Sequence, residues 1–169
     1  MTASAQLSID EFRELFVLTK NFRNLIASQF AKETVIFEHG ILSAGSSRNC
    51  GVDHLHIHIV PVKETTRFDR QLANIISMNK IGSMQELREF SSKDDPYLYV
   101  STSETRHLAR VDKALPSQFM RIALCDFLGK TEWDWRKAGI EKTLVQTYEL
   151  FRTLGPDIER YVSMDKVAA

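Results

Sequence analysis

Hydrophobic residues recur with a helical period near the start of the chain: Phe12, Leu15, Phe16, Phe22, Leu25, Ile26 and Phe30 fall on one stripe. Ser8 followed three residues later by Glu11 is a capping-box signature, and Leu7 and Phe12 stand where a hydrophobic staple closes over it. The pattern predicts a long amphipathic helix from about Ile9 to about Ala31. The period then shortens. Thr34 to Glu38 (TVIFE) predicts a strand that ends at His39-Gly40, and residues 41–52, ILSAGSSRNCGV, are small and polar enough to predict a loop. In the stretch NCGVDHLHIHIVPV, Asn49 to Val62, His54, His56 and His58 alternate strictly with Leu55, Ile57 and Ile59, which predicts a second strand. Pro61 near its end suits an edge or a terminus.

Further along, Phe68, Leu72, Ile75 and Ile76 predict a helix, and SMQE at Ser83 to Glu86 opens another with a second capping-box pattern. Tyr97–Ser101 and His107–Val111 read as the arms of a hairpin joined through Thr102 to Thr105. Pro116 sits at the first turn of a helix with Phe119, Ile122, Ala123 and Phe127 on its buried stripe and Gly129 at its end. A last helix, about Gly139 to Leu154, is closed by Gly155-Pro156. The order helix, strand, loop, strand, helices, hairpin, helices implies an α+β fold with an antiparallel sheet.

Length and composition narrow the picture. At 169 residues, 43% hydrophobic and 26% charged, the chain makes one soluble domain rather than two. Its 22 basic residues balance 22 acidic ones, which leaves no electrostatic footprint for duplex nucleic acid or an anionic membrane. Phosphate binding must therefore be local. The two cysteines, Cys50 and Cys125, form no metal or disulfide pattern. The first residues show no signal-peptide character, and no apolar run reaches bilayer length. A cytoplasmic protein is the expectation.

Three imidazoles on alternate positions change the picture most. In a strand, residues two apart share a face at roughly 6.6 Å, so His54, His56 and His58 form a row with Leu55, Ile57 and Ile59 behind it, free to pack on a core. Imidazole titrates near neutrality, so such a row can attack, hold phosphate oxygens or move protons. A histidine-rich solvated face is one alternative. A metal site is another, but His54 and His58 lie about 13 Å apart along an extended strand, so an ion would take two of them and a ligand from elsewhere, His39 being the candidate.

The segment from His54 to Val60 (HLHIHIV) resembles the signature of the histidine triad family: His, hydrophobic, His, hydrophobic, His and two hydrophobics. The amphipathic helix, the strand ending FEHG and the glycine-containing loop follow the same family order, so the resemblance covers roughly residues 5–62. PSQF (Pro116 to Phe119) and EWDWR (Glu132 to Arg136) resemble a C-terminal extension found in a bacterial branch. The resemblance implies a histidine triad (HIT-like) antiparallel sheet with the long helix packed on it. A single domain over 1–169 is expected, with the helix–strand–triad core at 5–62 and a helical and hairpin extension at 63–169.

It also implies a nucleotidyl hydrolase or transferase without cofactor or metal. His56 would be the nucleophile that forms a nucleotidyl-histidine; His58 would donate to phosphate and leaving-group oxygens; His54 would orient His56 through its backbone carbonyl. Asn49, Cys50 and Gly51 match the phosphate-cradling loop, with Gly51 standing where many relatives carry a hydroxyl residue and Ser46 or Ser47 able to compensate. Glu38 and His39 fall where the family has an asparagine near the ribose and α-phosphate, and Gln118 with Arg121 could reach phosphate from the extension. A solvated helix face is the competing reading for the last two, and a core or interface role for Trp133 and Trp135. The substrate class is a nucleoside phosphate compound: a dinucleoside polyphosphate, a phosphoramidate or a nucleotide-sugar. The family's N-terminal strands are not recognisable before the long helix. Either the chain is truncated, or the C-terminal hairpin replaces them, or a second subunit completes the sheet, and a homodimer is expected. The alternative function is a catalytically impaired nucleotide-binding or interaction module that retains the triad.

Overall fold

The structure is a computed structural model that describes residues 2–40, 54–91, 96–111, 115–116, 118–131, 133–134 and 141–163. Helix α1 (Ile9–Phe30) opens on Ser8, whose hydroxyl accepts from the Glu11 amide at 3.3 Å while the Glu11 carboxylate accepts from the Ser8 amide at 2.9 Å. Two donors that a helix start leaves unpaired are thereby satisfied. The helix ends at Ala31, which adopts the left-handed conformation at φ 49°.

Strands β1 (Glu33–Gly40) and β2 (His58–Val62) follow, then α2 (Thr65–Ala73), the two-residue β3 (Asn79–Lys80), α3 (Met84–Ser91), β4 (Tyr97–Ser101), β5 (Arg106–Arg110), α4 (Phe119–Phe127) and α5 (Glu141–Ser163). The fold is α+β: a five-stranded antiparallel sheet in the order β2-β1-β4-β5-β3, with a long N-terminal helix and several shorter helices. β1 is thus flanked by the histidine strand on one side and by the β4–β5 hairpin on the other. The hairpin has joined the sheet that carries His58.

Alternation along the strands divides the interior into two cores. Val35 and Phe37 of β1, Leu98 and Val100 of β4, and Val62 of β2 meet Phe68 and Leu72 of α2 and Phe119, Met120 and Ala123 of α4. On the opposite face, Tyr97, Tyr99 and Leu108 meet Phe12 of α1 and Leu87 of α3. Packing on both sides explains why β1 is buried from Thr34 to Gly40. At Gly40 an added Cβ would fall 2.1 Å from a ring carbon of Tyr97, so only glycine lets that ring cross the strand.

Two expectations need correction. The histidine segment is not a strand throughout: the β2 ladder begins at His58, and His54–Ile57 run into it outside the pairing. The final helix does not stop at Gly155-Pro156 but passes through both to Ser163. Proline removes one intrahelical donor and crowds the preceding turn, yet its fixed φ is helical, and α5 contacts α1. Among the described helices, none is long and apolar enough to cross a membrane.

Candidate functional site

His58 is the entry point. Its parity on β2 matches Val60 and Val62, so its ring lies on the face of the larger core, under α2 and α4, and not on an open front as the sequence pattern implied. The register pairs Phe37 with His58, and the two rings stack at 4.4 Å with only 12° between their planes. Burial, helped by the nearby His56 and Arg121, lowers the His58 pKa to about 4. At neutral pH it is an uncharged imidazole with one N–H to give.

His56 stands next to it, ring centroids 4.9 Å apart and nearly perpendicular, and His54 lies 5.7 Å beyond. The Nδ1 of His56 is 2.9 Å from the backbone oxygen of His54. A carbonyl can only accept, so Nδ1 carries the proton, and in the neutral ring the lone pair is on Nε2. Nε2 has no hydrogen-bond partner among the described residues. This is the backbone contact foreseen for His54, whose own side chain is exposed.

His39 completes a group of four. It shares the face of Phe37, with ring centroids 6.1 Å apart, and lies close enough to His58 and His56 for both to act on it. It is 8% exposed, and its Nε2 is buried with no partner among the described residues. Burial, then the charges of His58 and His56, lower its pKa to about 4. Among the described residues no set of three or more His, Cys, Asp or Glu is arranged to hold a metal ion.

Glu38, expected beside His39, is turned the other way. One step along a strand reverses the face, so Glu38 looks toward α1. There it accepts from the Ser4 amide at 2.6 Å, the Ser4 hydroxyl at 2.5 Å and the Tyr97 hydroxyl at 3.0 Å. Burial raises its pKa, and those donors oppose the rise. Its role is to tie the N-terminal turn to β1 and β4, away from the histidines.

From the C-terminal extension, α4 arrives at the same face. Arg121 is close enough to act on His58, and Gln118, one turn earlier, caps α4 with a left-handed backbone at φ 63°. The Gln118 Oε1 is buried and has no partner among the described residues. A non-glycine residue held in that conformation with an unpaired amide oxygen is strained twice over. Asn49, Cys50 and Gly51, with Ser46 and Ser47, lie outside the described residues, as does Trp135. Trp133 is at the surface, 36% exposed, and does not anchor the core.

Phe37 is the site residue the sequence reading missed. The signal was available, because a residue two positions before His39 shares its face, and an aromatic there faces the next strand's imidazole. Neither a known protein family nor a curated protein matches the chain.

Proposed function

We propose that the protein is a nucleotidyl hydrolase or transferase with a histidine triad (HIT-like) site, acting on a nucleoside phosphate compound. The observation that carries this reading is the His56 Nδ1 contact to the His54 carbonyl, which puts the lone pair of the neutral, half-buried ring on Nε2. In the reaction, that lone pair attacks the α-phosphorus, a P–N bond forms, and the P–O bond to the leaving group breaks with its electron pair going to oxygen. The neutral His58 N–H donates a hydrogen bond to the leaving oxygen, which takes its proton from solvent. Water or another acceptor then attacks phosphorus and passes its proton to solvent, and the P–N bond breaks with its electron pair returning to Nε2, which releases the nucleotide with His56 restored.

The neighbouring groups support the same reading. Phe37 fixes the His58 ring by stacking, and Arg121 brings positive charge to the side where phosphate oxygens would lie. The buried oxygen of Gln118 offers an acceptor for a substrate hydroxyl or amino group. The β4–β5 hairpin pairs with β1 on the side away from β2, which supports the alternative in which this hairpin stands in for the family's N-terminal strands.

Incubation with a dinucleoside polyphosphate, a nucleoside phosphoramidate and a nucleotide-sugar tests this, with acid-labile nucleotide on the protein as the readout. Labelling is expected at His56, and turnover is expected to vanish in His56→Ala. Full turnover in that variant would refute the mechanism. One observation favours a second reading: His54–Ile57 lie outside the β ladder, so the nucleophile's segment is not held by sheet pairing. A non-catalytic nucleotide-binding module built on the same residues would bind the substrate panel and turn over none of it.

A further inference from the structure

On the opposite face of the sheet, between α1 and the strands, lies a cavity of about 410 Å³. That volume is at the small end of those that hold organic ligands. Lys20 and Arg23 of α1 and Arg106 of β5 all line it, and no acidic residue does so among the described residues. Arg23 is half-buried; one Nη donates to the Ser101 hydroxyl at 3.0 Å, while Nε is buried with no partner among the described residues. Burial works against its charge, and the neighbouring Arg106 adds to that. A guanidinium partly withdrawn from water beside two more cations, with the Ser101 hydroxyl and the Tyr99 phenol as its polar neighbours, lacks among the described residues the carboxylate counterion that normally stabilises such a group.

The rest of the wall is apolar. Phe16 and Tyr99 meet edge to face at 6.0 Å, and the Tyr99 hydroxyl donates to the Met84 sulfur at 3.4 Å, which leaves ring and thioether surface facing the space. Three cations call for a multiply charged anion, and the aromatic wall calls for a flat or apolar body attached to it. Phosphate monoesters carry two negative charges near neutrality and suit guanidinium geometry.

We propose that this cavity is a second binding site, which takes a small phosphate monoester with an aromatic or apolar body. The phosphate sits among Arg23, Arg106 and Lys20, and the body lies against Phe16, Met84 and Tyr99. The site shares β1 with the histidines: Ile36 lines the cavity, and the next residue, Phe37, stacks on His58.

The test is titration of the full chain with phenyl phosphate, read by the arginine side-chain N–H signals in NMR and by equilibrium dialysis. It is run in the His56→Ala background to prevent covalent labelling, and the Arg23 signal separates this cavity from the candidate catalytic site. Saturable binding is expected to move the Arg23 Nε–H signal. The surface substitutions Arg106→Ser and Lys20→Ser should each weaken binding by about tenfold, as loss of a charge-assisted contact requires. Inorganic phosphate should bind more weakly than phenyl phosphate. Absence of saturable binding, an unmoved Arg23 signal, or unchanged affinity in both surface variants would overturn the site. Equal affinity for inorganic phosphate would overturn its apolar half.

Discussion

His39 and His58 share one property with a consequence for stability: each has a pKa of about 4 in the fold against 6.5 when free. Between those values the unfolded chain binds protons that the folded chain refuses, so stability is complete above about pH 6.5 and falls as pH drops toward 4. Glu38 acts with the opposite sign, because its raised pKa lets the folded state hold a proton more readily. A comparison of variants therefore isolates the histidines. Thermal unfolding from pH 7 to 4 should show a steeper loss in the native chain than in His39→Gln. An identical slope in that variant would remove His39 from the account. Gly40 gives a second expectation at this scale. The Tyr97 ring that crosses it is 1% exposed and held through its hydroxyl to Glu38, so it cannot swing aside. Gly40→Ala should destabilise by about 1–3 kcal/mol, the range for overpacking, measurable by urea unfolding.

Among the elements, two helix ends carry left-handed residues that are not glycine. Ala31 closes α1 at φ 49° and is exposed. Ala31→Gly should therefore stabilise the protein by about 1 kcal/mol, seen as a higher urea midpoint with unchanged slope. Gln118 poses the same backbone problem at the start of α4, but with an amide beside the candidate site. Gln118→Gly should raise the melting temperature and, on the proposed function, lower kcat/KM. A gain in both would show that the strain serves no substrate contact.

The α1 helix was fully legible in the sequence, because its cap and its apolar stripe are local signals, and so was the β4–β5 hairpin to within a residue. Glu38 was not, because assigning it a face required the period of two to outweigh its adjacency to His39. Nor was the cover over His58: which helices close on a strand face depends on contacts between Phe37 and α4, far apart in the chain. The helix through Pro156 was missed for a different reason. Gly-Pro is a strong local stop, but packing along α1 is a tertiary term that local rules do not contain.

At the scale of the molecule, β1 is bonded on one side to the histidine strand and on the other to the hairpin, and both α1 and α2 contact it. β3 is two exposed residues at the far edge. Native-state hydrogen exchange should therefore be slowest in β1 and β4 and fastest in β3. If β1 amides exchanged as quickly as those of β3, the sheet order would be wrong. The two candidate sites also share β1, Ile36 lining one and Phe37 stacking on His58 in the other.

The bond from the His56 ring to the oxygen two residues upstream carries one more implication. On the proposed function, the proton that decides which nitrogen attacks stays on Nδ1, held there by a carbonyl supplied by the same tripeptide. Remodelling the surroundings to accept a different leaving group or base would leave that choice of tautomer untouched. On the proposed function, so short a segment can be re-aimed at new esters without being rebuilt.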